Sequence, residues 1–182
     1  EPPQITGMKQ RRLKTLLTHD INLFAYHLPL DVHPEVGNNA QLARLLGIKV
    51  RRGLEPWNSK SVAMVGKLEE PMSGRDFATL IAERLGREPL YCGDTGPELT
   101  RSVAWCTGGG QSYINLAAEQ GIDAFISGEA SEQTIHTARE MGMHFYAAGH
   151  HATERYGIKA LGEWLATVQG LDVTFIDIDN PV

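Results

Sequence analysis

The sequence predicts an α/β fold organised on a largely parallel sheet. From residue 102 onward short apolar runs alternate with longer segments of helical period: VAWCT before residues 111–120, AFISG before 131–141, and HFYAAG before the helix that follows His150. Alternation on that scale is the mark of βαβ units. Glycines stand at the joints, in the GGG turn, at Gly128 and at Gly149, and helices stop at Gly121 and Gly142, where chain reversal and left-handed caps favour that residue. The chain of 182 residues is 42% hydrophobic and 21% charged, which suits one sizeable domain or two small ones with a real core.

Taken in order, residues 8–17 read as a helix, with Leu13, Leu16 and Leu17 on one side and Lys9, Arg11, Arg12 and Lys14 on the other. The basic side is read as a solvated face, with a phosphate-binding patch as the rival. INLFAYH, residues 21–27, reads as a buried strand that empties into the loop LPLDVHPEVGNN. Asn38 or Asn39 is expected to cap a helix through Leu46 that Gly47 stops. Residues 48–60 have weak periodicity and contain Gly53, Pro56 and Asn58, so they are read as a linker or an irregular crossing between lobes. SVAMVGKL alternates like a strand. Ser73 and Asp76 form a capping box for a helix that turns Phe77, Leu80, Ile81 and Leu85 inward and ends at Gly86. Residues 89–92 are a short apolar run, and DVTFIDI is expected to be a closing strand.

Charge and composition exclude several classes. A net charge of -5 argues against a chain built to bind nucleic acid or an acidic membrane. No apolar run reaches the length of a membrane span. Two cysteines, Cys92 and Cys106, sit in strand-like runs, too few for a disulfide framework, and point to a reducing cytoplasm.

Right-handed crossovers would bring the GGG, Gly128-Glu129 and Gly149-His150 turns to one sheet edge, where ligands of open α/β sheets bind. Chemistry-bearing groups gather at the same kind of position: His27 and Asp31 in HLPLD, Glu129 and Glu132 in SGEASEQ, His150 and Glu154 in GHHATE. His150 and Glu154 share a helix face if the helix starts early enough, and imidazole with carboxylate at that spacing can hold a divalent metal. Each motif also has a plain structural reading: a packed histidine, an Asx turn, a glutamate complementing a helix dipole. Convergence of all three at strand ends raises a metal site to equal standing with those structural readings. GGG could cradle a phosphate or simply allow close helix–sheet packing, and it is neither GxGxxG nor a Walker loop. His33, His136 and His144 lack partners at ligand spacing, and Trp57, Trp105 and Trp164 are scattered and read as packing.

Three stretches, INLFAYHLPLDVHPEVGNNAQLARLLGI, VAWCTGGGQSYINLAAEQGIDAFISGE and FYAAGHHATERYGIKAL, closely resemble the Nif-three-like family, and within it the bacterial YbgI-type branch whose members are often named GTP cyclohydrolase 1 type 2 homologues. The resemblance spans nearly the whole chain. It implies two intertwined α/β repeats with mixed, largely parallel sheets, here residues 1–60 for the remainder of the first repeat with its crossing linker and 61–182 for the second. It implies a ring-shaped homohexamer and a dinuclear metal centre between the repeats. On this resemblance Asp31 and His150 are terminal metal ligands, Glu154 bridges the two ions, His27 lies beside them as a catalytic or supporting group, and Glu129 faces the same cavity. An oxygen and nitrogen ligand set suits Zn, Fe, Mn or Ni. The family also uses adjacent histidines from an HHG motif upstream of the point where this chain begins at Glu1. The chain is therefore expected to be the later part of a longer protein, with an incomplete first repeat and with metal binding that is weak or limited to one ion.

The function expected from this reading is a dinuclear metal-dependent hydrolase of cyclic amide or amidine bonds in a small molecule such as a purine nucleotide. The alternative is a non-catalytic, ring-shaped metal-binding scaffold or regulatory protein. A nucleic-acid-threading ring would need a basic lumen, for which Arg11 and Arg12 are the only candidates.

Overall fold

The computed structural model describes residues 3–182. Its frame is a mixed six-stranded sheet in the order β1-β2-β4-β5-β6-β3. The strands are β1 (Ile48–Gly53), β2 (Met64–Met72), β3 (Leu90–Cys92), β4 (Thr100–Cys106), β5 (Ala124–Ser127) and β6 (His144–Ala147). The helices are α1 (Gly7–Thr18), α2 (Leu28–Asp31), α3 (Asn38–Leu46), α4 (Gly74–Leu85), α5 (Ile114–Glu119), α6 (Glu132–Glu140) and α7 (His150–Gln169). A 3-10 turn, Gln111–Tyr113, leads into α5. Strands β4, β5 and β6 run parallel, as expected of βαβ units. The other pairings, β1 with β2, β2 with β4 and β3 with β6, are antiparallel, so the sheet is mixed and parallel only at its centre.

Helices cover both faces, and the strands show it by their period of two. Val103 and Trp105 of β4, Ile126 of β5 and Tyr146 of β6 pack with Leu42 and Leu46 of α3 and Phe77, Ile81 and Leu85 of α4. Ala104, Cys106, Phe125 and Phe145 point the other way, onto Ile114 and Ala117 of α5 and Ala138 of α6. Alternate residues of a strand project to opposite faces, and each large side chain removed from water contributes about 1.5–3 kcal/mol.

Helix ends follow local chemistry. Ser73 accepts the Asp76 N–H and donates to the Asp76 carboxylate, and Gly86 closes α4 in the left-handed region at φ 68°. A full capping box starts α6, where Ser131 and Thr134 satisfy each other's backbone N–H groups. At α3 the expectation fails in detail. Gly37 is the N-cap, without a side-chain cap bond, and Asn38 and Asn39 lie inside the helix with buried side chains.

Three further expectations are overturned. Residues 48–53 are a strand, not a linker: β1 is an edge strand whose exposed Lys49, Arg51 and Arg52 hid it from an apolar pattern search, and charge is how natural sheets protect an edge. Residues 21–27 form no strand and every one is exposed, with Phe24 at 76%. Residues 172–178 likewise form no strand and all are exposed. Both stretches have strand-like apolar content, but neither has a ladder partner among the described residues. Helix α1 forms as expected but buries nothing.

Candidate metal centre at the carboxyl edge

Three glycine turns meet at the carboxyl ends of β4, β5 and β6. The Gly149 N–H donates to the Gly128 carbonyl at 3.0 Å, and the Gly128 N–H donates to the Gly108 carbonyl at 2.8 Å. Thr153, fully buried in the first turns of α7, completes the knot. Its hydroxyl accepts the Gly108 N–H at 3.1 Å and donates to the Gly149 carbonyl at 2.9 Å. Gly108 lies at φ +61°, and a Cβ there would strike the Glu154 carboxylate and come within 2.9 Å of His150 Nε2. The turn thus needs glycine both for its backbone and for the α7 side chains that lie against it.

His150 is the first residue of α7, immediately after the Gly149 N-cap. Glu154 follows one turn later on the same face, and its Oε2 stands 3.3 Å from His150 Nε2. The first turn of α7 holds no acidic residue, so Glu154 is set too deep to serve as a complement to the helix dipole. The other imidazole nitrogen, Nδ1, lies 2.7 Å from Glu129 Oε1 in the loop after β5. Burial pulls the His150 pKa down, but the Glu129 hydrogen bond and the charges of Glu154 and Glu129 outweigh it, and the net shift is upward. Glu154 is also shifted upward, first by burial and then by the Asp31 charge, against the opposing effects of His150 and His27. A half-buried carboxylate raised by a second carboxylate is a place where a cation would be stabilised.

Asp31 ends α2 and is 6% exposed. Its Oδ1 accepts from Asn38 Nδ2 at 2.7 Å, while Asn38 Oδ1 accepts the Gly157 N–H of α7 at 3.1 Å. Asn38 therefore ties the Asp31 carboxylate to the helix that carries His150 and Glu154. Asn39 works beside it, holding the Val62 carbonyl at 2.9 Å and the Thr107 N–H at 3.1 Å. Read from the sequence these two asparagines are caps, and a local pattern offers no signal for partners so distant in the chain. His27 precedes α2 and is exposed, close enough to Glu154 for its charge to be felt.

The remaining candidates fall away from the centre. His151 pairs with Asp177 at 3.0 Å. His33 accepts two backbone N–H groups of its own turn, His144 is buried between the Tyr91 hydroxyl and the Pro97 carbonyl, and His136 faces Glu132. GGG does not resemble a phosphate cradle: the Gly108 N–H is already used by Thr153, and the carboxylates of Glu154 and Glu129 face the turn. An open cavity of about 610 Å³ adjoins His150 and Glu154, with Arg155, Phe175 and Asp177 on its walls. Among the described residues no three or more His, Cys, Asp or Glu side chains form a ready metal-holding group. Imidazole nitrogen and carboxylate oxygen are donor types that suit a divalent ion.

Residues 1–181 match the Duf34/NIF3 (NGG1p interacting factor 3) family. The chain belongs to that family. Across 181 residues it is 65% identical to the GTP cyclohydrolase 1 type 2 homolog of Salmonella typhimurium, covering 100% of this chain and 71% of the relative. The solved structure titled protein ybgI, unknown function, is 64% identical and superposes with a TM-score of 0.95 over 100% of this chain and 72% of that one. The crystal structure of TTHA1606 from Thermus thermophilus is 32% identical, with a TM-score of 0.86 over 100% and 71%. The Duf34/NIF3 assignment agrees with the family resemblance read from the sequence and with the mixed α/β fold. No helix among the described residues is long and apolar enough to cross a membrane.

Proposed function

We propose that this Duf34/NIF3 chain contributes Asp31, His150 and Glu154 to a centre of two divalent ions and that the protein hydrolyses a cyclic amide or amidine bond in a small molecule of the purine-nucleotide class. The observation that carries the reading is the His150–Glu154 pair, 3.3 Å apart at the carboxyl edge, with the Asp31 charge bearing on Glu154 beside an open cavity. The relatives' name, GTP cyclohydrolase 1 type 2 homolog, supports the nucleotide class. Zn, Fe, Mn and Ni all suit the donor types. A bound divalent ion would supply Lewis acidity toward the scissile group. The chain's own residues supply the rest: Asp31 is held by Asn38, His150 by Glu129, and the exposed His27, just before α2, is the group that moves a proton.

Metal content of the purified protein, together with GTP turnover, tests the reading. Glu154→Gln is expected to lower ion affinity at least tenfold and to abolish turnover; turnover equal to wild type in that variant overturns it. The exposed apolar side chains of residues 21–27 and 172–178 favour a second reading, a ring-shaped homo-oligomer in which the ions are structural. Ions bound in closed coordination, with no turnover on any nucleotide, would select that reading.

A further inference from the structure

We propose that Glu129 is the positioning residue of the centre, holding His150 by Nδ1 so that Nε2 is presented to the ion; this rests on the metal reading given above. A ligating histidine is commonly oriented by a carboxylate on its other ring nitrogen, which fixes both the tautomer and the ring plane. The geometry around His150 has that form. Glu129 Oε1 is 2.7 Å from Nδ1, a hydrogen-bonding distance, while Glu154 Oε2 approaches Nε2 only to 3.3 Å. The shorter contact holds the ring and the longer one leaves Nε2 on the side where Glu154 converges.

Glu129 is itself held from the backbone. Its N–H donates to the Gly108 carbonyl at 3.2 Å, and its carbonyl accepts from the Ser127 hydroxyl at 2.5 Å. Gly128 has no space for a side chain, since a Cβ there would lie 2.7 Å from the Gly108 carbonyl and 2.8 Å from His150 Cα. The loop that carries Glu129 is therefore pressed against both the GGG turn and the start of α7.

Titration of Co²⁺ and Zn²⁺ into wild type, Glu129→Ala and Glu129→Gln tests this, alongside ¹⁵N shifts of the neutral His150 ring without metal. Glu129→Ala is expected to weaken ion binding about 10–100-fold, the usual effect of removing an orienting partner, with the melting temperature little changed. Glu129→Gln is expected to recover much of the loss, because its amide oxygen accepts the same Nδ1–H. Wild type should show the Nδ1–H tautomer, and Glu129→Ala should lose that bias. Equal affinity in wild type and Glu129→Ala overturns this proposal alone and leaves the metal reading standing. A Gln variant as weak as the Ala variant also overturns it, since an orienting hydrogen bond survives that change. No uptake of either ion by wild type overturns the metal reading and this proposal with it.

Discussion

Strand β4 and residues 21–27 are of equal length and similar apolar content, yet every side chain of β4 from Val103 to Cys106 is buried and every one of residues 21–27 is exposed. The difference lies in their neighbours. β4 has β2 hydrogen-bonded along one edge and β5 along the other, with helices over both faces. Residues 21–27 have no ladder partner among the described residues. Strand propensity is largely a measure of fit to a half-buried pleated surface, and backbone groups that find no partner remain with water. An apolar heptad of residues is thus a request for a sheet position that other segments must provide.

The largest effect that sharpens this contrast is at Trp105. Trp105→Ala empties a fully buried site and leaves the Asn39 carbonyl without its indole donor. A loss of about 3–5 kcal/mol in urea unfolding is expected, as for other large aromatic truncations. Cys106, buried at the carboxyl end of the same strand, gives a chemical measure of that burial. Burial first, then the charges of Asp31, Glu154 and Glu55, pushes its thiol up to about 12 from an ordinary 9.0. Its thiolate is the reactive form, so alkylation at pH 8 should be about a thousandfold slower in the folded than in the unfolded protein. The sign for stability follows from linkage. A thiol raised in the folded state favours unfolding once the unfolded thiol ionises, so stability is complete below the unfolded value and is lost as pH rises toward 12. Rapid labelling of Cys106 in the native protein would show that the Asp31–Glu154 corner is open to water.

Smaller changes probe the link between the flank and the frame. Asn38→Ala removes the side-chain partner of both the Asp31 carboxylate and the Gly157 N–H, at an expected cost of about 1–3 kcal/mol in thermal unfolding. Phe24→Ala should be the mildest, within about 0.5 kcal/mol, because its side chain is 76% exposed. A loss above about 1 kcal/mol at Phe24 would break the comparison and show that this stretch is covered in solution.

What can be read in advance follows the same division between local and distant causes. The helices α4 and α6, the Ser73 cap and the glycines that end α3 and α4 are legible because capping and period are local. So are β4, β5, β6 and α7, and with them the shared face of His150 and Glu154. Strand β1 is hidden by its own edge charges. The failures at residues 21–27 and 172–178 are failures of pairing, which no single stretch encodes. In the site, the spacing of His150 and Glu154 is visible, whereas the contact from Glu129 to Nδ1 joins a loop to a distant helix and the hold of Asn38 on Asp31 joins α3 to α2. Asparagine beside a glycine reads as a cap by every local rule, and only the packed fold shows it spent elsewhere.

The knot of glycine turns has a consequence for how this edge can change. Loops at the ends of strands are ordinarily the parts of a fold most open to lengthening, grafting and exchange. Here Gly108, Gly128 and Gly149 are bonded in series, and Thr153 closes the series from the helix side. Adding a residue to any one turn would displace the carbonyl or N–H on which the next depends. The three loops therefore form one inheritable part, to be transplanted or redesigned together, and variety at this edge has to come from the segments that wall the cavity.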